Sequence, residues 1–556
     1  MKIVNSEEMQ FIDDKTQKEL EYPSLLLMEN AGINCYNYLK KNIFPSYGFD
    51  NTLFVCGKGN NGGDAFVMAR HHFIDGHNAV IMLTGIPREG TAAEVNYKLC
   101  KNLGIKILNI NLDKEECFSR IRNSAVIIDG ISGTGIKGSF KDIEAEICAV
   151  INESSAFVCS IDVPSGIGDN YKSSYPSVNA NLTITIGLPK ISLYYPSARR
   201  HCGKIIIADA AFPPAYLDSA ETNIMLVNKH ILKNHIKLPA PWSYKNSRGH
   251  VSVFAGSKGK SGAAVLCSKA ALRSLAGIVT LFTDDDIYAA LASSLTSVMV
   301  DTFSVLSAKN SIEKFDSFIL GPGWGFEKEK EEFLEYLLEK TEKPVVIDAD
   351  ALTLLSAIIE KRKKANKPFY NKNCIITPHP GEFARLIKSG AEEIMDNPAI
   401  FIKPFSEKTG LTTVLKSHVP WICNNDGKIA IFDSMNPALA TAGSGDVLAG
   451  ITGGLLAYGI KPFEAAICGV VIHGRAGKKC YNDKGFFVSE DILEYISIII
   501  NNLALTDEVC LFREVDIVGG FNTKISKLLF NLKRPDGRGI KPTDGIKNIE
   551  QDNNVK

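Results

Sequence analysis

The chain has 556 residues, more than one hydrophobic core usually serves, so two large domains or three smaller ones are expected. Lys plus Arg and Asp plus Glu both total 62, and a neutral chain carries no field to draw in nucleic acid or a membrane surface. A hydrophobic content of 45% suits a soluble globular protein, no apolar run reaches the length of a membrane span, and the charged opening "MKIVNSEEMQFIDDK" lacks a signal core, so the cytoplasm is the expected compartment.

The first half alternates short β-branched runs with helix-length stretches. "TLFVC", "NAVIML", "IKILNI", "AVIIDG", "AFVCSID", "NLTITIG" and "KIIIAD" read as strands. That alternation implies βαβ units and a mainly parallel sheet covered on both faces, a Rossmann-like three-layer domain. After the first strand comes "GKGNNGGDAF", with glycines at 57, 59 and 62. A dinucleotide fingerprint would also need an acid ending the next strand, and Thr84 and Gly85 stand there instead. On the glycines alone, a plain strand-to-helix turn is the stronger reading. Asn60, Asn61 and Asp64 add donors and acceptors that suit a phosphate together with a cation. Two further strand ends carry polar loops. "VIIDGISGTGIKGSF" places Asp129 before Gly133, Gly135 and Gly138, and "CSIDVPSG" places Asp162 and Ser165. Open parallel sheets bind ligands beyond the carboxyl ends of their strands, so three such loops predict one shared site.

A Pro-Pro pair in "DAAFPPAYLDSAETN" marks a boundary near residue 215, and a second α/β series follows: "HVSVFAG", "GIVTLFT", "SFILGPG", "PVVIDAD", "NCIITPH" and "LTTVLK". "GSKGKSGA" is not a phosphate-binding Walker loop, because Phe254 stands where the first glycine belongs. "GSGD", Gly443 to Asp446, opens a helix rich in Gly, Ala and Leu, and successive N–H groups there would form an anion hole. Asp446 is expected to be kept ionised by the helix dipole. Beyond residue 505 the chain is polar, punctuated by Gly and Pro, and reads as a largely disordered extension over 506–556. The 13 cysteines form no C-x-x-C pair, which argues for small buried apolar residues rather than zinc ligands or a disulfide frame.

"LLLMENAG", "GKGNNGGDAFVMAR", "DGISGTGIKG" and "IDVPSG" together resemble the NAD(P)H-hydrate epimerase family. The resemblance implies that Asn60, Asn61, Gly62, Gly63 and Asp64 contact a hydrated nicotinamide cofactor. Gly133, Thr134, Gly135, Ile136, Lys137, Gly138, Ser139 and Asp162 would join them. It also implies a potassium ion on Asn61, Asp129 and Ser165, and it departs at Ala65, where the family usually has glycine. In the second half, "GSGD" resembles ribokinase-like folds. "RGHVSVFAGSKGKSGAA", "LGPGWG", "VVIDADAL" and "ITPHPGEFARL" narrow the resemblance to ADP- or ATP-dependent NAD(P)H-hydrate dehydratases. That implies Ala263, Gly323 and His379 at the hydrated cofactor, and Asp446 at the reacting centre. Lys416, Ser417, His418, Val419, Pro420 and Gly445 would lie at the nucleotide, with Mg²⁺ accompanying it. Pro420 departs from the family threonine and has neither hydroxyl nor N–H.

The expected organisation is thus an epimerase domain over 1–218 and a ribokinase-like dehydratase domain over 219–505. Asp162, handling the proton in the epimerase, and Asp446, the base of the dehydratase, would be the catalytic residues, ADP the co-substrate and hydrated NADH or NADPH the substrate, with a homo-oligomer as the assembly. Two other readings stay open: a small-molecule kinase in the second half, or a non-catalytic scaffold in the first.

Overall fold

Strands buried on both faces need no polar alternation, and the apolar runs of the first half form such a sheet. The structure, a computed structural model, describes residues 1–366, 371–505 and 517–518. The strands are β1 (Thr52–Cys56), β2 (Ala79–Leu83), β3 (Lys106–Asn109), β4 (Val126–Gly130), β5 (Phe157–Ile161), β6 (Leu182–Ile186) and β7 (Lys204–Ala208). All pair in parallel in the order β7-β6-β5-β4-β1-β2-β3. Strands β1, β2 and β4 are buried along their whole length, and separate apolar clusters pack against the two faces.

The second half supplies β8 (Ile224–Leu226), β9 (His250–Phe254), β10 (Ile278–Thr283), β11 (Met299–Thr302), β12 (Ser317–Leu320), β13 (Val345–Ile347), β14 (Cys374–Ile376), β15 (Thr412–Leu415), β16 (Trp421–Cys423) and β17 (Ile429–Ile431). Their order is β11-β10-β9-β12-β13-β14-β15-β16-β17-β8. The sheet is parallel except where β16 runs antiparallel to both neighbours. The helix Ser444–Ala457 lies against Ser261–Arg273 at very short range. A Cβ at Gly450 would sit 2.2 Å from the Cys267 carbonyl oxygen, and one at Gly454 would sit 2.5 Å from that of Ala271. Close packing of the two helices therefore explains Gly450 and Gly454, while Gly453 makes room for Ile319 of β12.

The halves meet along a seam. Arg199 pairs bidentately with Asp433, Trp421 Nε1 donates to the Tyr194 carbonyl, and Ser173 N donates to Asp396. Tyr171, Ile191, Leu193, Tyr194 and Tyr195 belong to the same apolar cluster as Phe318, Leu355 and Trp421. Residues Ile517 and Val518 (β18) pair with the free edge of β7. The rest of the expected 506–556 extension lies outside the described residues. Every cysteine among the described residues is buried and unpaired.

Candidate active sites

In the first sheet the chain moves outward from β1 to β3 and then returns to the other side of β1 as β4. The crevice created by that reversal lies beyond the carboxyl ends of β1 and β4. The loop after β1 can close on the loop after β4 only because it lacks side chains. A Cβ at Gly57 would sit 1.9 Å from the Ile131 carbonyl oxygen, and one at Gly62 would sit 2.0 Å from that of Gly57. Asn60 to Asp64 then form the first turn of the helix Asn60–Ile74, with Gly63 against Met28. Ala65 is fully buried with its methyl against Gly130, so the close approach at this departure is met by the glycine opposite.

Asp129 ends β4 and is fully buried. Its Oδ2 accepts from Ser160 Oγ at 2.7 Å and from Ser165 N at 2.9 Å, and its Oδ1 accepts from Ser165 Oγ and Ile131 N. Burial pushes its carboxyl up, and these donors pull it back. Asn61 is buried with neither amide atom hydrogen-bonded, and a Cβ added at Gly133 would lie 3.5 Å from its side chain. A buried amide without a partner is costly unless something completes it. An orphan amide oxygen near a carboxylate and a hydroxyl is an all-oxygen set that suits a hard cation such as potassium. The run Gly133, Thr134, Gly135, Ile136, Lys137, Gly138, Ser139 is a half-exposed loop over the crevice. Ser6 Oγ donates to Thr134 O, and Ile136 packs on Gly168.

Asp162, just past β5, has φ +65°, a left-handed conformation that costs a non-glycine residue energy. Its Oδ1 accepts from Thr185 Oγ1, Ile186 N and Lys190 Nζ. Lys190 is 2% exposed and also donates to the Ile186 carbonyl. Sequence reasoning missed Lys190, although a lone lysine just past a strand's carboxyl end was available as a signal.

The second sheet reverses direction between β9 and β12, and its crevice lies beyond those strands. Gly323, at φ +58°, brings its backbone against Lys260 and Ala263, while Ser257 Oγ holds its carbonyl. Lys260 Nζ and Gly325 N both donate to Asp350 Oδ2 at 2.8 Å. His379 caps the helix Pro380–Ile387. Its Nδ1 accepts from Gly381 N and Glu382 N, and its side chain is half exposed.

Lys416, past β15, donates to Asp348 Oδ1 at 2.7 Å and lies 3.9 Å from Glu382. A Cβ at Gly445 would be 3.4 Å from Lys416 Nζ, so the start of the helix Ser444–Ala457 stands over this pair. Asp446 follows in its first turn. Here the expectation from the helix dipole needs correction. Burial first, then Asp348, raise the Asp446 carboxyl to about 7, with Lys416 opposing and Asp350 and Glu382 adding to the rise. The dipole of one helix end is outweighed by desolvation and three carboxylates. Asp348 and Glu382 are the site residues the sequence reading left without roles. Asp348 ends a strand, which is the same signal that picked out Asp129.

Beyond Lys416 the chain turns toward the seam. Ser417 Oγ bonds the backbone of Val419, His418 Nε2 meets the Pro196 carbonyl at 2.9 Å, Val419 is fully buried, and the Pro420 carbonyl accepts from Phe432 N. A separate cavity of about 590 Å³, lined by Arg248, Lys269, Arg273, Glu490 and Glu494 among others, contains none of the residues named for either crevice.

Two reversal-point crevices, each with carboxylates braced by a lysine, define a two-site α/β enzyme. Comparison with known proteins gives the particular kind. Residues 251–498 match the family model for NAD(P)H-hydrate dehydratase, and residues 24–192 match that of the YjeF-related protein N-terminus. Relatives described as bifunctional NAD(P)H-hydrate repair enzymes span both halves. The Moorella thermoacetica protein is 28% identical, covering 90% of this chain and 97% of its own. The Thermofilum pendens protein is 30% identical over 87% and 93%, and the Escherichia coli protein 31% over 76% and 79%. The chain belongs to the family of bifunctional NAD(P)H-hydrate repair enzymes, with an epimerase domain followed by a dehydratase domain.

Among solved structures, a ribokinase-like superfamily protein from Enterococcus faecalis is similar at 28% identity and a TM-score of 0.46, covering 51% of this chain and 97% of its own. An ADP/ATP-dependent NAD(P)H-hydrate dehydratase from Bacillus subtilis, co-crystallized with ATP/Mg²⁺, is similar at 22% identity and a TM-score of 0.44, covering 50% and 97%. Among the described residues no helix is long and apolar enough to cross a membrane.

Proposed function

We propose that residues 1–218 interconvert the R and S epimers of hydrated NADH or NADPH, and that residues 219–505 dehydrate the S epimer with ADP as co-substrate. The observation that carries the reading is the cluster at the second crevice: the Asp348–Lys416 ion pair, the helix start at Gly445 beside Lys416, and the half-buried Asp446 carboxyl pushed up to about 7. In this reading Asp446 accepts the proton of the ring hydroxyl as its oxygen attacks the terminal phosphorus of ADP, releasing AMP. The phosphorylated oxygen then leaves as phosphate, a far better leaving group than hydroxide, and loss of the neighbouring ring proton restores the double bond. Lys416 and the N–H groups at Gly445 would hold the transferring phosphate, and Ser417 to Pro420 would flank the nucleotide. Ala263, Gly323 and His379 would line the hydrated ring. Magnesium arriving with the nucleotide would offset phosphate charge. Asp348 Oδ2, which has no donor among the described residues, is the oxygen suited to it.

In the first crevice, Asp162 handles the proton, while Asn60 to Asp64 and Gly133 to Ser139 bind the hydrate. Potassium on Asn61, Asp129 and Ser165 would supply a positive charge against the cofactor phosphates, a role supported by the unpartnered Asn61 amide. The fused chain makes in one site the epimer that the other consumes. We further infer a cytoplasmic homo-oligomer. The test supplies purified protein with mixed hydrate epimers and either ADP or ATP, following the return of reduced-nicotinamide absorbance. Complete recovery with ADP supports the reading. Recovery of only half the material would remove the epimerase assignment, and a stable phosphorylated product would favour the kinase.

A further inference from the structure

The first crevice contains two carboxyls in opposite settings. Three donors converge on Asp162 Oδ1: the Thr185 hydroxyl at 3.3 Å, the Ile186 N–H at 3.2 Å and the Lys190 ammonium. No donor among the described residues reaches its Oδ2. Lys190 is held in turn by the Ile186 carbonyl at 2.6 Å and the Thr185 hydroxyl at 3.4 Å. The network stabilises the strained φ of Asp162 and fixes which oxygen remains open. Asp64 is 7% exposed, and among the described residues its carboxyl meets no hydrogen-bond donor at all. The charged and titratable groups facing it are Asp162, Asp13 from the helix Ser6–Glu19, Cys35 from the helix Ser24–Asn42, and Lys190. Burial, then Asp162 and Asp13, push its carboxyl well up, against Lys190. Asp64 follows β1 and Asp162 follows β5, with β4 between them in the sheet.

We propose that Lys190 is a positioning residue that fixes Asp162 as the proton acceptor with only Oδ2 open to substrate, and that Asp64 is a second catalytic residue, the proton donor of the same epimerisation. The proposal rests on Asp162 being the proton-handling group. Water added across an enamine double bond leaves its hydroxyl on the carbon joined to the ring nitrogen. Asp64 gives its proton to that hydroxyl. The C–O bond breaks, its electron pair leaves with the oxygen as water, and the nitrogen lone pair forms a C=N⁺ bond. Water then adds to the other face of the planar carbon. An oxygen lone pair makes the new C–O bond, the C=N pair returns to nitrogen, and the surplus proton passes to Asp162 Oδ2. Transfer of one proton from Asp162 back to Asp64 through water closes the cycle without net change. A carboxylate and a carboxylic acid in one site, separated by environment, are the pairing such a step needs.

The test measures conversion of purified R epimer by the full-length protein without nucleotide, from about pH 5 to 9. Lys190→Met should lower kcat about a hundredfold. KM should change far less, and the acid limb of the profile should move to higher pH. Lys190→Arg should recover much of the rate. Asp64→Asn should abolish conversion while still binding the hydrate. Thr185→Val removes a second donor from the same Oδ1 and carries the test should Lys190→Met fail to fold, as judged by lost dehydration in the other domain. Its acid limb should also move up. An unchanged profile in Lys190→Met, or in Thr185→Val where the first does not fold, would overturn the role of Lys190. Normal conversion by Asp64→Asn would overturn that of Asp64. Asp162→Asn separates the two levels. If it is active, the base itself is misassigned; if it is dead while the Lys190 and Asp64 variants are normal, only the present proposal falls.

Discussion

Replacing Lys416 by methionine isolates what sets the ionisation of Asp446. In the native site that carboxyl titrates at about 7, with Lys416 the only cause working downward against burial, Asp348, Asp350 and Glu382. A base acts in its ionised form, so dehydration should rise with pH through about 7 and level off above it. Lys416 Nζ is 3.4 Å from where a Cβ on Gly445 would lie, one residue before Asp446. Taking about 6 Å between the charges and an effective dielectric of about 20, the lost attraction is about 3 kcal/mol, or about two pH units. Lys416 is a fifth exposed, and Asp348 is left unpaired and would itself take up a proton, so a rise of about one unit is the working figure. The acid limb of kcat at saturating nucleotide should therefore move to about pH 8. The pH-dependent part of the loss should be about fivefold at pH 7 and vanish by pH 9, leaving the pH-independent loss of the phosphate contact. Lys416→Arg should leave the limb in place. Stopped-flow absorbance of the returning reduced nicotinamide gives kcat at each pH. A limb that stays near 7 would show that Lys416 does not act through Asp446.

Asp446→Asn keeps the shape but removes the base, so dehydration should fall about a hundredfold or more while epimerisation is untouched; near-normal dehydration would show that the base lies elsewhere. Asp129→Ala should abolish any potassium dependence of epimerisation and raise KM for the hydrate, and a potassium titration matching that of the parent protein would reject the cation site. Gly57→Ala would thrust a methyl to 1.9 Å from the Ile131 carbonyl oxygen and force the two loops of the first crevice apart. Epimerisation should drop by about a hundredfold from the displaced Asn60 to Asp64 turn, with dehydration as the internal control.

The sheets were legible where burial is complete. Runs such as "TLFVC" and "AVIIDG" are continuous apolar strands because both faces are covered, and every strand read from the first half is found. The strands missed in the second half are β8, β11, β16 and β17, of three or four residues each. Short segments appended at a sheet's edges carry too few residues to show a period. The strand-end acids Asp129 and Asp162 could be found by position alone. Their settings could not. The lysine that braces Asp162 lies 28 residues on, and the one that braces Asp348 lies 68 residues on. The ionisation of Asp446 shows the limit most clearly. A helix start is visible in sequence, whereas the burial and the neighbouring carboxylates that outweigh its dipole arise only when β13, β14 and β15 align.

The seam between the halves gives the two activities a common lifetime. Tyr194 and Tyr195 share one apolar cluster with Trp421, and these residues lie within a few positions of Lys190 on one side and Lys416 on the other. Opening the seam would wet that cluster and loosen both lysines at once. Heat or denaturant should thus extinguish epimerisation and dehydration in a single cooperative event. An aging molecule would then lose both steps together, and would not persist as an epimerase interconverting damaged cofactors that nothing else on the chain could restore.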